Sequence, residues 1–202
     1  MDVAVTDAFT TGPGLDRRVQ LLEHSLVVLS RHGYAATRVE DICAAASISR
    51  ATFYRYFDGK NQVFDALIDR MMAEVLDTAA HLGAVTPDAA GRATLARWLA
   101  DLVAITERWG PLVDEVNLLR ASNAEARGRA VVMTARFADL LGERFQAGGV
   151  TGIDPKVAAL AIIAMTDRTA HQVRTWNVDI TQVALIDALA TLAMKMLHPA
   201  CS

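Results

Sequence analysis

Apolar–polar alternation is confined to short stretches of these 202 residues, seven positions at most (Thr175–Thr181), whereas apolar residues three and four apart recur from end to end. A half-buried strand needs the first pattern; a helix with one buried face needs the second. The chain is therefore expected to be all-α, without strands. Hydrophobic residues make up 52% and charged residues 21%, enough apolar material for a packed core and too much for a disordered chain. The longest unbroken apolar run, Val157–Met165, has nine residues, and a membrane helix needs about 20. Met1–Gly14 has no basic start and no apolar run, so it reads as a disordered arm and not as a secretion signal. The cysteines, Cys43 and Cys201, are too few for a disulfide framework and suggest a reducing cytoplasm.

Glycine, proline and capping residues cut the pattern into about nine helices. Leu15, Val19, Leu22, Leu26 and Leu29 mark a first helix to His32, with Gly33 as its C-terminal stop. Thr37-Arg38-Val39-Glu40 fits a capping box for a short helix to about Ala45. Ser49 caps a third helix to about Tyr56, and Asp58 a long fourth, Lys60 to His81. Thr86-Pro87 and Gly110-Pro111 each look like the start of another helix, a fifth and a sixth. Ser122-x-x-Glu125, Asp154-Pro155 and Asp179-x-x-Gln182 open the seventh, eighth and ninth, which end near Gln146, Trp176 and Leu197.

Three short helices followed by a long one is the plan of a helix-turn-helix module, whose third helix enters the DNA major groove. Val39, Ile42, Ile48, Phe53 and Phe57 can build a small core. Arg50, Ala51, Thr52, Tyr54, Arg55 and Tyr56 then crowd two turns of helix that cannot bury them all. Arg50 can fork onto a guanine, Thr52 can touch a base edge, and the tyrosine hydroxyls can meet phosphates. The helix starts at Thr37 and Lys60 offer further phosphate sites; Arg38 and Ser49, at the openings of the second and third helices, complete the DNA-facing set. Any one of these aromatics would suit a plain bundle core. The spaced set with its caps is what points to DNA. The charge pattern agrees: residues 31–60 carry Arg31, Arg38, Arg50, Arg55 and Lys60 against Glu40, Asp41 and Asp58, a local +2 in a chain of −3.

The segments Gly33-Tyr34-Ala35-Ala36-Thr37-Arg38-Val39-Glu40-Asp41-Ile42 and Ile48-Ser49-Arg50-Ala51-Thr52-Phe53-Tyr54-Arg55-Tyr56-Phe57-Asp58-Gly59-Lys60 resemble the DNA-binding domain of the tetracycline-repressor family. The likeness covers about residues 20–68 and places Thr37, Thr52, Tyr54, Tyr56 and Lys60 where that family contacts DNA. Three positions depart from the pattern. Ser47 stands at a turn where glycine is usual and costs about 1–2 kcal/mol if that turn is left-handed. Ala51 replaces a common glycine or proline, and Cys43 replaces alanine as a small buried hydrophobe.

The resemblance implies a domain map of 1–14 arm, 15–60 DNA-binding domain and 61–202 ligand-binding and dimerisation domain. It also implies a homodimer through the last two helices. Val157, Leu160, Ala161, Ala164 and Met165 on one, and Val183, Ile186, Leu189, Ala190, Ala193 and Met194 on the other, give wide alanine-rich faces suited to close packing. Ligand candidates share helical faces: Trp98, Leu102, Ile105 and Trp109, then Met133, Phe137 and Leu140, with Thr166 and Asp167 as polar anchors and Trp176 at a helix end. Asp167 and His171, four apart, can equally well pair on the helix surface. The stretch Ala164–Thr169 is similar to a mycobacterial branch of the family with a long apolar tunnel, which suggests an elongated apolar effector.

The expected function is a ligand-responsive repressor that binds a palindromic operator as a dimer and is released by a small apolar molecule, with the long fourth helix acting as a lever. A regulator that needs its ligand to bind DNA, or that activates, fits the same residues. The rival classes are a helical enzyme and an adaptor without DNA function. No Gly-x-Ser-x-Gly, phosphate loop, dinucleotide fingerprint or paired-carboxylate constellation supports an enzyme. His24, His32, His81, His171 and His198 are scattered without metal-ligand spacing, so neither metal nor cofactor is expected.

Overall fold

The computed structural model describes residues 13–122, 124–150 and 152–199. Among these, every regular element is a helix: α1 (Pro13–Ala36), α2 (Val39–Ala45), α3 (Arg50–Phe53), α4 (Lys60–Ala80), α5 (Ala89–Ser122), α6 (Ala124–Ala147), α7 (Pro155–Trp176) and α8 (Gln182–Leu197). None of them is long and apolar enough to cross a membrane. The chain divides into two compact units, Met1–Asp69 and Arg70–Ser202, so α4 starts in the first and ends in the second.

In the first unit, α1 supplies Leu22, Leu26 and Leu29 to a core completed by Ile42, Cys43, Phe53, Phe57, Val63 and Leu67, all buried. Gly33 breaks α1 where the sequence places the stop (φ 73°, ψ 162°), and one more turn follows it. Pro13 and Gly14 already belong to α1; the rest of the expected arm, residues 1–12, lies outside the described residues.

In the second unit α5 packs against α6, α7 and α8, and α6 packs against α7. The core gathers Leu95, Trp98, Leu99, Val103, Phe137, Leu141, Phe145, Ile162, Leu189 and Leu197. The expected fifth and sixth helices are one: α5 runs 34 residues straight through Pro111. Proline deletes one helical hydrogen bond, but Trp109 and Leu112 on either side of the Gly110-Pro111 pair are both buried, and this packing holds the helix across it.

Several caps shift from their expected positions. Asp88, two residues after Thr86, caps α5 by accepting from the Gly91 amide at 2.8 Å. Thr181, not Asp179, caps α8 by accepting from the Ala184 amide at 3.2 Å. At α4 the side-chain bond comes from Gln62, whose Oε1 accepts from the Asp58 amide at 2.7 Å. Asp154 caps α7 as expected, accepting from Lys156 and Val157. The expected box at Ser122 and Glu125 involves side chains outside the described residues.

Candidate nucleic-acid interface

Helix α3 is rooted by two rings. Phe53 is fully buried and Phe57 nearly so, their centroids 6.0 Å apart. Ser49 caps the helix by accepting from the Thr52 amide at 3.1 Å, and its hydroxyl also meets the Thr52 hydroxyl at 3.0 Å. With the inner side anchored, Arg50, Ala51, Tyr54 and Arg55 face outward, Tyr54 46% exposed. Thr52 and Tyr56 are half-buried. Tyr56 lines a small recess with Arg17, Gln20, His24 and Ile48. The turn from α2 into α3 passes through Ser47 at φ 52°. The left-handed turn that favours glycine is therefore present, and a serine occupies it.

Two side chains of the expected DNA-facing set turn inward. Thr37 is 1% exposed and its hydroxyl donates to Gly33 O at 2.7 Å, which also removes it as the cap of α2. Arg38, exposed and in extended backbone, takes the N-cap position, and its amide donates to Asp41 Oδ2 at 2.8 Å. The reciprocal bond expected of Glu40 is thus made by Asp41. Lys60 is half-buried; its ammonium donates to the carbonyls of Tyr34, Ala35 and Thr37 at 3.0, 3.2 and 3.0 Å and lies 4.7 Å from the Tyr34 ring centroid. It closes the C-terminal end of α1. Tyr34, which sequence reasoning missed, stacks on Phe64 (centroids 4.5 Å apart) and donates to Asn61 Oδ1. Burial, with the Asp65 carboxylate, pushes its phenol up from the ordinary tyrosine value.

The outward face is cationic, and one carboxylate conditions it. Arg50 Nη1 lies 2.5 Å from Glu40 Oε1, and its Nη2 lies 3.5 Å from Tyr54 Oη. The tyrosine hydroxyl and Glu40 together stabilise the guanidinium further. Cys43 is buried, and desolvation followed by the Glu40 charge raises its thiol above the ordinary value, as suits a small core hydrophobe.

The second unit places the expected ligand residues differently from the sequence reading. Trp98, Leu102, Trp109 and Phe137 are buried in packed interior. The indole of Trp98 donates to Thr78 O at 3.0 Å and that of Trp109 to Glu74 Oε2 at 2.7 Å. Ile105, Met133 and Leu140 are half-buried, and Thr166 is fully buried with its hydroxyl unpartnered among the described residues. Trp176, 65% exposed, stands out in solvent instead of ending a pocket.

A cleft of about 370 Å³ opens between α5 and α7, lined by Thr106, Gly110, Val113, Asp114, Asn117, Asp167, Arg168, His171 and Arg174. Only Asp167 of the expected ligand set reaches it, and its walls are polar. Asp114 accepts from Arg174 at 3.0 Å and faces His171 Nδ1 at 3.1 Å, so His171 pairs across to α5 and not simply with Asp167 along α7. The Arg174 guanidinium covers Gly110 so closely that a Cβ there would lie 1.6 Å from Nη1. Asp167 keeps an edge open to the cleft, yet desolvation raises its carboxyl above the ordinary value, with Asp114 adding to this and His171, Arg174 and Arg168 opposing it. A readable signal existed: Asp167, His171 and Arg174 follow four-and-three spacing just after the apolar run Val157–Met165. No group of three or more metal-ligating side chains occurs among the described residues.

Residues 21–67 match the profile of bacterial regulatory proteins of the tetR family. The fatty acid metabolism regulator protein of Bacillus subtilis is 24% identical over 195 residues, 89% of this chain and 95% of that protein. A probable acrEF/envCD operon repressor of Escherichia coli K12 is 31% identical over 58 residues, 29% of this chain and 26% of that protein. The crystal structure of the transcriptional regulator FadR from Bacillus subtilis in complex with stearoyl-CoA superposes with a TM-score of 0.69 at 21% identity, covering 89% of this chain and 99% of that one. With a buttressed helix-turn-helix and this match inside its first unit, residues 21–67 form a DNA-binding domain of the tetR type, in a chain whose all-helical fold is shared with that regulator.

Proposed function

We propose that the protein is a cytoplasmic, ligand-responsive repressor. Its first unit reads a palindromic operator, and its second unit binds an effector and pairs with a second copy. The observation that carries this reading is the outward set Arg50, Ala51, Tyr54 and Arg55 on α3 and the turn that follows it, rooted by Phe53 and Phe57. Such a face offers a guanidinium for a base edge and hydroxyl and cationic groups for phosphates.

Dimerisation is supported by an apolar surface along the last two helices. Val157, Leu160, Ala161 and Ala164 on α7, and Ala184, Ala188 and Leu192 on α8, are exposed at helical spacing. Leu189, Ala190 and Ala193, expected on that surface, are spent on the protomer's own core. Readers of this kind bind paired half-sites about one helical turn apart.

A small, largely apolar effector is supported by the fatty-acid regulator among the relatives and by the stearoyl-CoA held by the structural neighbour. An acyl chain bound among the expected ligand residues would lie against the buried Trp98, Leu102 and Phe137. Its effect has a path to α4, because Arg108 and Trp109 on α5 both hold Glu74 on α4. Full release, from 1:99 to 99:1, asks the effector to prefer the non-binding state by about 5.5 kcal/mol. Selection of bound duplexes from random oligonucleotides, beside native mass spectrometry of the purified protein, tests the reading. An enriched inverted repeat and a dimer mass support it; a monomer that enriches nothing contradicts it.

A further inference from the structure

Because Asp41 closes the start of α2 through the Arg38 amide, Glu40 is released from capping. Its carboxylate reaches across to the recognition helix and takes Arg50 Nη1 at 2.5 Å. Tyr54 holds the other side: Nη2 lies 3.5 Å from its hydroxyl, and the guanidinium carbon 5.8 Å from its ring centroid. The Arg50 and Glu40 side chains are 61% and 53% exposed, so the pair does little for stability. Its consequence is geometric. An arginine on a four-residue helix samples many rotamers, and a carboxylate on the bracing helix selects among them before DNA arrives. The same carboxylate places a negative charge beside a surface meant for phosphates, where it penalises any duplex that does not offer Arg50 a matching base.

We propose that Glu40 is a specificity-determining positioning residue: it orients Arg50 for base reading and suppresses binding to arbitrary sequence. This rests on the reading of α3 as the operator-reading face. The test uses the full chain and its Glu40→Ala, Glu40→Gln, Arg50→Ala and double Glu40→Ala/Arg50→Ala variants. Each is titrated against the inverted repeat selected by the unaltered protein, single-base variants of that repeat, and a scrambled duplex at fixed salt.

Arg50→Ala identifies the base position that Arg50 reads. Glu40→Ala is expected to tighten binding to the scrambled duplex and to flatten preference at that position about tenfold. Glu40→Gln, which keeps an acceptor without the charge, recovers part of the preference but not the suppression. In the Arg50→Ala background, Glu40→Ala changes the preference no further. The inference is overturned if Glu40→Ala leaves the base profile intact, if it alters it equally with and without Arg50, or if Arg50→Ala itself flattens nothing. If the unaltered protein selects no repeat, the operator reading fails and takes this inference with it. Both side chains being exposed, equal melting curves are expected for all variants.

Discussion

Replacing Lys60 with methionine removes an ammonium while keeping a stem of similar length. In the structure that ammonium makes three hydrogen bonds to carbonyls at the end of α1 and sits against the Tyr34 ring. A hydrogen bond to a charged group contributes about 1.5–3 kcal/mol. Here the group is half-buried and water can reach the released carbonyls, so the whole cluster is expected to contribute about 2 kcal/mol, well below the sum of three such bonds. Urea unfolding followed by far-UV circular dichroism reads that loss. All three tryptophans, Trp98, Trp109 and Trp176, lie in the second unit, so indole fluorescence serves as an internal control that moves less. Operator affinity should weaken by the same factor at every salt concentration, because the ammonium is engaged by the carbonyls of Tyr34, Ala35 and Thr37. The opposite result is equally clear. A salt dependence shallower by about 0.9 per subunit, with the urea midpoint unmoved, would show that Lys60 neutralises a phosphate and would refute the clamp.

The remaining predictions address other parts of the molecule. Ser47→Gly relieves the left-handed turn at φ 52° and should raise urea stability by about 0.5–1 kcal/mol, net of the entropy glycine adds to the unfolded chain, with the fold unchanged. Asp167 has its folded-state pKa raised by burial. Its neutral form therefore contributes stability that is complete below the ordinary aspartate value of about 3.9 and is lost as pH rises through the raised value. Asp167→Asn should accordingly be more stable than the unaltered protein at pH 7, with the advantage shrinking on acidification; urea midpoints at pH 7 and pH 4.5 check the sign. Leu160→Glu with Leu192→Glu places charges on the exposed faces of α7 and α8 and should yield a folded monomer in sedimentation, with operator binding strongly weakened.

Helix positions were legible wherever the pattern was local. The spacing of Leu22, Leu26 and Leu29, the Ser49 cap and the Asp154-Pro155 start all survive in the structure. The failures share a cause: a longer-range contact overruled a local signal. Gly110-Pro111 has the grammar of a break, but α5 stays continuous where Trp109 and Leu112 are buried, and the glycine makes room for Arg174 from α7. Thr37 has the grammar of a cap, but its hydroxyl bonds Gly33 O, its carbonyl is held by Lys60, and Asp41 takes the role expected of Glu40. The outward residues of α3 could be read because a short helix with two anchoring phenylalanines leaves them nowhere else to go. The polar cleft could not be read as a unit. Its walls come from helices some 60 residues apart in sequence, joined by the Asp114–Arg174 pair. Apolar spacing alone cannot separate a pocket wall from core, and Trp98 and Phe137 turned out to be core.

Fluorescence anisotropy of a labelled inverted-repeat duplex, titrated with the unaltered protein and with Tyr54→Ala between 50 and 200 mM salt, weighs the claim that α3 presents a DNA-reading face. The expected result is binding of two protomers per duplex, a steep loss of affinity with salt, and a marked loss on removing the exposed Tyr54 ring. Affinity equal for a scrambled duplex, indifferent to salt and unchanged by Tyr54→Ala would contradict it.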